Sequence, residues 1–382
     1  MVLAAWIGVT QFLFVTTWTL YVVYLPQLAA DAGVPKHWVP WILVADQVVF
    51  ALTDVATGFW LDRVRSGLAR VGPWMLGVTG VSCIAFLLLP FAGASAGLLL
   101  GAIAVWAVTS AALRSPPWVL LSRHAATPSM PWLSTLVLTG TAVGSALAPY
   151  LGIAMRGVDA RVPFILSSLT LVATVGGLVV AERRRTSEAR GETQPAGMPS
   201  PSGLFLALAF LALGIQAHYS LNSAPRYLQF ASPARLAYLM PVFWVGFNLL
   251  MFAGARLVKR IGAADAMALA AACGAIATLA AALAPNLSAL LVAQFLAGGC
   301  WGAALVAAYT AAVALGRTGR EGRFLGTLFA VLAAAVALRI AAVTTGAERE
   351  PSFSALLPWL PEAAWLAAAL LLLVVSRASR PG

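Results

Sequence analysis

Five ionisable side chains lie inside stretches of this sequence that are otherwise apolar: Asp46, Asp54, Arg114, His218 and Arg339. A charge at bilayer depth costs at least about 2.5–3.5 kcal/mol, so such a group is expected to face a cavity or a partner. The chemistry open to these residues is proton binding, ion pairing and solute recognition. Asp46 lies 16 residues before Asp62, and Arg339 lies 16 residues after Arg323. At a helical rise of about 1.5 Å per residue, each is about 24 Å from its loop, and the two are at nearly equal depth. His218 is a candidate proton-sensing group, because an unperturbed imidazole titrates near pH 6.5. Asp54 lies two turns before Asp62 and Arg114 stands next to Pro116 and Pro117, so both are expected at a solvated interface. Glu362 is close to a segment boundary and is discounted.

Polar and aromatic side chains accompany these charges. Thr10, Phe14, Thr17, Tyr21 and Tyr24 recur at spacings of 4, 3, 4 and 3, one stripe along a helix, with Gln11 and Trp18 beside it. A second group is Gln216, His218, Tyr219 and Asn222, and a third is Gln294, Trp301 and Tyr309. Packing between helices, with hydroxyls bonded to backbone, is the alternative use of such stripes. The three histidines, His37, His124 and His218, form no metal-binding or catalytic constellation with other residues. Cys83, Cys273 and Cys300 all lie in apolar stretches and share no metal-ligand spacing. No phosphate-binding glycine loop is present, so ATP-driven pumping is not expected. Neither a cofactor nor a metal is expected.

The elements that must hold these residues are membrane-spanning helices. The chain of 382 residues is 61% hydrophobic and 10% charged, against about 25% charged in soluble proteins. A span needs roughly 20 apolar residues. That scale gives six candidates near 5–28, 39–60, 73–92, 97–115, 132–155 and 162–181. Six more follow near 203–228, 236–256, 266–285, 287–312, 324–345 and 355–376. A stretch rich in charge, Pro, Gly and Ser separates the two sets, so the expected domains are 1–182, a linker at 183–202, and 203–382.

The net charge of +11 does not point to nucleic acid, because of where it lies. Sixteen of the 24 basic residues, among them Arg63, Arg65, Arg70, Arg123, Lys259 and Arg260, fall in alternate loops and the C-terminal tail. The positive-inside rule makes those loops, and both termini, cytoplasmic. A plasma or inner membrane location follows, and no cleavable leader is expected.

The loop after the second span reads Gly58-Phe59-Trp60-Leu61-Asp62-Arg63-Val64-Arg65-Ser66-Gly67. It resembles the motif G-x-L-a-D-r-x-G-r-k between helices 2 and 3 of the major facilitator superfamily. Gly58, Asp62 and Arg63 match, while Trp60, Arg65 and Ser66 depart from it. Residues 255–262 resemble a degenerate copy 197 positions later, with the leucine, a basic residue and the glycine kept and the aspartate lost. Pro26 and Pro225, offset by 199, support the duplication. Residues 144–152, with Gly144, Ala148, Pro149 and Gly152, resemble the superfamily's antiporter motif, although close helix packing also uses such small residues. The arginine motif of the superfamily's fourth span is absent.

The resemblance implies an all-α membrane protein of 12 transmembrane helices in two pseudo-symmetric six-helix halves. It implies a central cavity lined by spans 1, 4, 7 and 10. On that reading the solute-binding candidates are Thr17, Trp18, Tyr21, Tyr24, His218, Tyr219, Asn222 and Trp301. It also sets spans 2 and 11 side by side, which makes Asp46 and Arg339 candidate partners in a gate that protonation of Asp46 would loosen. The alternative partner for Asp46 is Gln11 or another polar group of the first span. Gly58, Asp62 and Arg63 form the conformational motif. The expected function is secondary transport of a small neutral polar or amphipathic solute by alternating access, with protons as coupling ion. The expected protein is monomeric in the lipid bilayer, neither an enzyme nor a binder of nucleic acid. The rival is a membrane sensor or assembly factor of the same fold that moves nothing.

Overall fold

Long apolar runs become helices here because lipid offers no partner for backbone N–H and C=O groups, and a helix satisfies them internally. The computed structural model describes residues 1–64, 68–183, 200–317 and 319–378. Arg65, Ser66, Gly67, Thr318, Arg380 and residues 184–199 of the expected linker lie outside the described residues.

In chain order the helices are α1 (Val2–Asp31), α2 (Val39–Arg63), α3 (Leu68–Leu88), α4 (Ala96–Ala112), α5 (Pro116–His124), α6 (Met130–Ala154), α7 (Arg161–Arg183) and α8 (Pro201–Ile215). There follow α9 (Ser223–Leu228), α10 (Leu236–Leu239), α11 (Pro241–Ile261), α12 (Ala263–Leu283), α13 (Leu287–Gly316), α14 (Glu321–Thr345), α15 (Pro351–Leu356) and α16 (Leu360–Ala378). Among the described residues, 11 helices are long and apolar enough to cross a membrane, and the apolar helix Leu360–Ser376 is shorter. The chain is a multi-pass membrane protein.

Two spans are not continuous α-helix. The fourth is α4 and α5 joined through residues 113–115, with Pro116 and Pro117 in the first turn of α5. Proline is tolerated there because that turn has no internal acceptor for its missing N–H. The seventh passes from α8 through a π-helical stretch, Gln216–Asn222, into α9. Between α11 and α12 the chain turns at Gly262, whose φ of 86° a side chain would strain.

The residues form two compact units. The first takes in Met1–Ala125, Leu136–Arg190 and Gly319–Ala341; the second takes in Ala126–Thr135, Gly191–Thr318 and Ala342–Gly382. Most of α14 therefore belongs to the first unit, and it packs there directly on α2. A Cβ added to Gly58 would strike the carbonyl oxygen of Gly322, and one added to Gly326 would strike that of Asp54. Glycine at these positions is what lets the two backbones touch.

Candidate functional site

In the first unit α1 turns its polar stripe inward. Thr10 is fully buried and bonds back to the carbonyl of Trp6 at 2.9 Å. The hydroxyls of Thr17 and Ser167 on α7 lie 2.6 Å apart. Tyr21 donates to Oδ2 of Asp46 at 2.7 Å. Tyr24 donates to the carbonyls of Met155 at 3.2 Å and Val158 at 3.1 Å, and so fixes the turn between α6 and α7. Aromatic rings surround the Tyr21–Asp46 bond. The Trp106 centroid is 4.5 Å from Tyr21, and Trp18 lies 5.4 Å from Tyr21, 5.4 Å from Phe50 and 6.1 Å from Trp106. Tyr21, Phe50 and Trp106 are buried, while Trp18 is half-buried.

Asp46 therefore meets a polar group of the first span, and its recorded partner is the Tyr21 phenol. Nearer the other end of α2, Gly58 abuts Gly322 and Asp54 abuts Gly326 on α14.

The ion pair on α2 is about two turns away. Asp54, with no exposed surface, lies 3.2 Å from Nη1 of Arg114 at the end of α4. The Arg114 guanidinium also sits over the rings of Phe50 at 5.4 Å and Phe329 at 5.0 Å. The expectation that Asp54 faces water at an interface does not hold, since it is fully buried, while 22% of the Arg114 side chain is exposed. Neither Trp106 nor this pairing was visible in the spacing of residues along the chain.

At the end of α2 the aspartate of the motif meets α14. Asp62 accepts hydrogen bonds from the backbone N–H groups of Gly322 at 2.8 Å and Arg323 at 3.1 Å, in the first turn of α14. A carboxylate there satisfies N–H groups that lack helical acceptors and complements the positive end of the helix dipole. Arg323 in turn lies over the ring of Phe59, 4.6 Å from its centroid. Arg123 donates to the carbonyl of Leu61 at 3.0 Å. Arg63 is exposed.

In the second unit the π-helical stretch carries His218, Tyr219 and Asn222. Buried His218 has Nε2 3.0 Å from Oε1 of Gln294, whose Nε2 donates to Ser223 at 2.8 Å. Ser223 closes the chain by donating to the His218 carbonyl at 2.8 Å. A π-helical turn leaves backbone groups without ordinary partners, and here a serine supplies one. Tyr219 packs against Phe243 at 4.9 Å and Trp244 at 5.5 Å. Asn222 donates to the Leu357 carbonyl at 2.8 Å. Trp301 is buried 6.2 Å from Trp365, which fills a slot left open by Gly214 and Gly274. Among the described residues no group of three or more His, Cys, Asp or Glu could hold a metal.

The sequence matches the family model of the Major Facilitator Superfamily over residues 7–338. No curated protein matches it. Among solved structures it is similar to the human organic anion transporter MFSD10, at 15% identity and a TM-score of 0.73, with 99% of each chain covered. It is similar to a bacterial homologue of the iron transporter ferroportin in the outward-facing state, at 14% identity and a TM-score of 0.74, covering 98% of this chain and 99% of that one. It is also similar to the E. coli fucose:proton symporter, at 13% identity and a TM-score of 0.72, covering 100% and 99%. At such identities the likeness is one of fold. With the family model spanning most of the chain and Asp62 of the motif capping α14, the protein belongs to the Major Facilitator Superfamily.

Proposed function

We propose that this chain is a secondary transporter that moves a small neutral polar or amphipathic solute by alternating access, with protons as the coupling ion. The observation that carries the reading is the contact between Asp62 and the first turn of α14. It joins spans 2 and 11 through two hydrogen bonds and a glycine-lined crossing. The arginine-rich loops, and with them both termini, are assigned to the cytoplasm of a cell whose plasma or inner membrane holds a monomer. Asp62 then locks the cytoplasmic side while the cavity is open to the outside.

Solute recognition is assigned to Thr17, Trp18, Tyr21 and Tyr24 in the first unit and His218, Tyr219, Asn222 and Trp301 in the second. Aromatic and hydrogen-bonding side chains dominate this set. They suit a neutral polar or amphipathic molecule better than a phosphate, which would call for arginine or lysine. Coupling is assigned to Asp46, Arg339 and His218, with the fucose:proton symporter among the similar structures as an analogy.

The test is flux. Purified protein in liposomes, given an imposed pH gradient, is expected to move at least one member of a panel of sugars, polyols and amphipathic dyes. Flux should collapse when a protonophore removes the gradient. A panel that shows no flux, together with a stable complex with one partner protein, would make the chain a sensor or assembly factor instead.

A further inference from the structure

The first unit holds a polar cavity whose charges the proposed function does not use. It occupies about 650 Å³ at the end of α1 away from the Arg63 loop, against the turn that joins α6 to α7. Asp31, Arg156, Asp159 and Arg161 all line it, two anions and two cations. Among the described residues none of the four is in an ion pair. Two of them are held by other means. Asp159 accepts the backbone N–H of Arg161 through Oδ1 at 2.9 Å, at the start of α7. The Arg161 guanidinium lies over the ring of Phe91, 5.1 Å from its centroid. Each is thus placed by a contact other than its opposite charge.

The wall of the cavity is fixed as well. Tyr24, 4% exposed, sends its hydroxyl from α1 to the carbonyls of Met155 and Val158, and all three residues line the cavity. Between those carbonyls Gly157 takes a φ of 75°, and a Cβ there would meet nothing within 4 Å. The turn that carries Arg156 and Asp159 is therefore pinned to α1. Charges held in place lose little freedom on binding, which favours a ligand that matches them. Guanidinium groups match an oxyanion, above all a phosphate, which accepts paired N–H groups. The match for carboxylates is an ammonium. A site with two charges of each sign is neutral in sum and complements a ligand that is neutral in sum too.

We propose that this cavity binds a compact zwitterion, a phosphodiester joined to an ammonium by a short link, as in the phosphoethanolamine group. Arg156 and Arg161 take the phosphate, and Asp31 and Asp159 take the ammonium. The group reaches the cavity from one of two sources, a free solute or the headgroup of a lipid. Val23 of the lining is exposed, as are Ile153 and Val162, each next in sequence to a lining residue. These apolar side chains give lipid tails a surface beside the headgroup site.

The experiment uses full-length protein in detergent and two arms. In the first, calorimetry compares glycerophosphoethanolamine with glycerophosphoglycerol, which lacks the ammonium, and with ethanolamine, which lacks the phosphate. In the second, native mass spectrometry of protein given equal phosphatidylethanolamine and phosphatidylglycerol reads which lipid is retained. Wild type is expected to prefer the ethanolamine form about fivefold or more in at least one arm. Preference in the first arm makes the ligand a free solute, and preference in the second alone makes it a lipid headgroup. Asp31 and Arg156 are exposed, so their variants should fold. Asp31→Asn should erase the preference for the ammonium and leave glycerophosphoglycerol or phosphatidylglycerol binding unchanged. Arg156→Gln should weaken every phosphate-bearing ligand about fivefold. Tyr24→Phe frees the turn and should weaken binding while keeping the preference. The proposal is overturned if wild type shows no preference in either arm, or if Asp31→Asn and Arg156→Gln bind as wild type does. None of these readouts requires flux. Failure here leaves the transport reading standing, and absence of flux leaves this site standing.

Discussion

The carboxylate of Asp62 sits 2.8 Å from the backbone nitrogen of Gly322, a residue 260 positions later in the chain. Loss of such a cap costs about 0.5–2 kcal/mol in soluble helices. Asp62→Ala is expected to lower the thermal midpoint in detergent and to favour conformations open at the arginine-rich end. Distances between spin labels at that end should lengthen. Asp62→Asn keeps one acceptor oxygen and should fall between alanine and wild type. Unchanged distances in both variants would separate Asp62 from the conformational equilibrium.

The α2–α14 crossing predicts a contrast among glycines. Gly58→Ala and Gly326→Ala each drive a methyl group into backbone, which cannot step aside as a side chain can. Each should destabilise the protein by roughly 1–3 kcal/mol and slow or abolish transport. Gly80→Ala and Gly101→Ala meet nothing within 4 Å and should behave as wild type. Thermal stability of the four purified variants decides the matter.

Breaking the Asp54–Arg114 pair should be costly from either side. Asp54→Ala leaves Arg114 facing two rings with its carboxylate gone. Such single removals cost about 3–5 kcal/mol where the pair is buried. Asp54→Leu combined with Arg114→Met should recover most of the stability, because neither charge is then left alone. A double variant as unstable as the worse single one would contradict the pairing.

His218 is tied to Gln294 and, through it, to Ser223. His218→Ala strands the buried Oε1 of Gln294 and should lower stability by roughly 1–3 kcal/mol. His218→Gln can still reach Gln294 and should lose less. The coupling role makes a separate demand, namely that His218→Gln flatten the pH dependence of transport. A full pH dependence in that variant would remove His218 from the coupling groups and leave it a structural link of the π-helical stretch.

Orientation is open to labelling. Single cysteines at Ser66 and Ser95, in a background without Cys83, Cys273 and Cys300, should react from opposite faces of the membrane. Ser66 is expected to react only after the cells are opened. Reaction of Ser66 in intact cells would invert the assignment.

The helical spans were legible because lipid leaves a chain of this composition few alternatives. Gly58, Asp62 and Arg63 marked the α2 end by residue type alone. What could not be read was register between distant helices. Asp46 takes its hydrogen bond from Tyr21 on α1, a pairing that depth counted from the loops does not select. Trp106 was hidden because a tryptophan among Ala, Val and Ile has no periodic signature of its own. Asp54 was misread as solvated because its burial depends on packing against neighbouring helices, which its distance from Asp62 does not specify. The stripe on α1 was found correctly as one face, but its partners on α2 and α7 come from sequence positions that no local pattern connects to it.

The first compact unit is incomplete until residues 319–341 have joined it. A ribosome delivers those residues only after ten other spans have been made. During synthesis, then, the α2 face bearing Gly58 and Asp62 must wait for a helix that does not yet exist, the Asp62 carboxylate held meanwhile by water, lipid headgroups or an insertion factor. Biogenesis of this protein thus ends on the pairing of an early helix with a late one. A chain cut after its sixth span should leave the membrane with a polar flank that quality control can recognise.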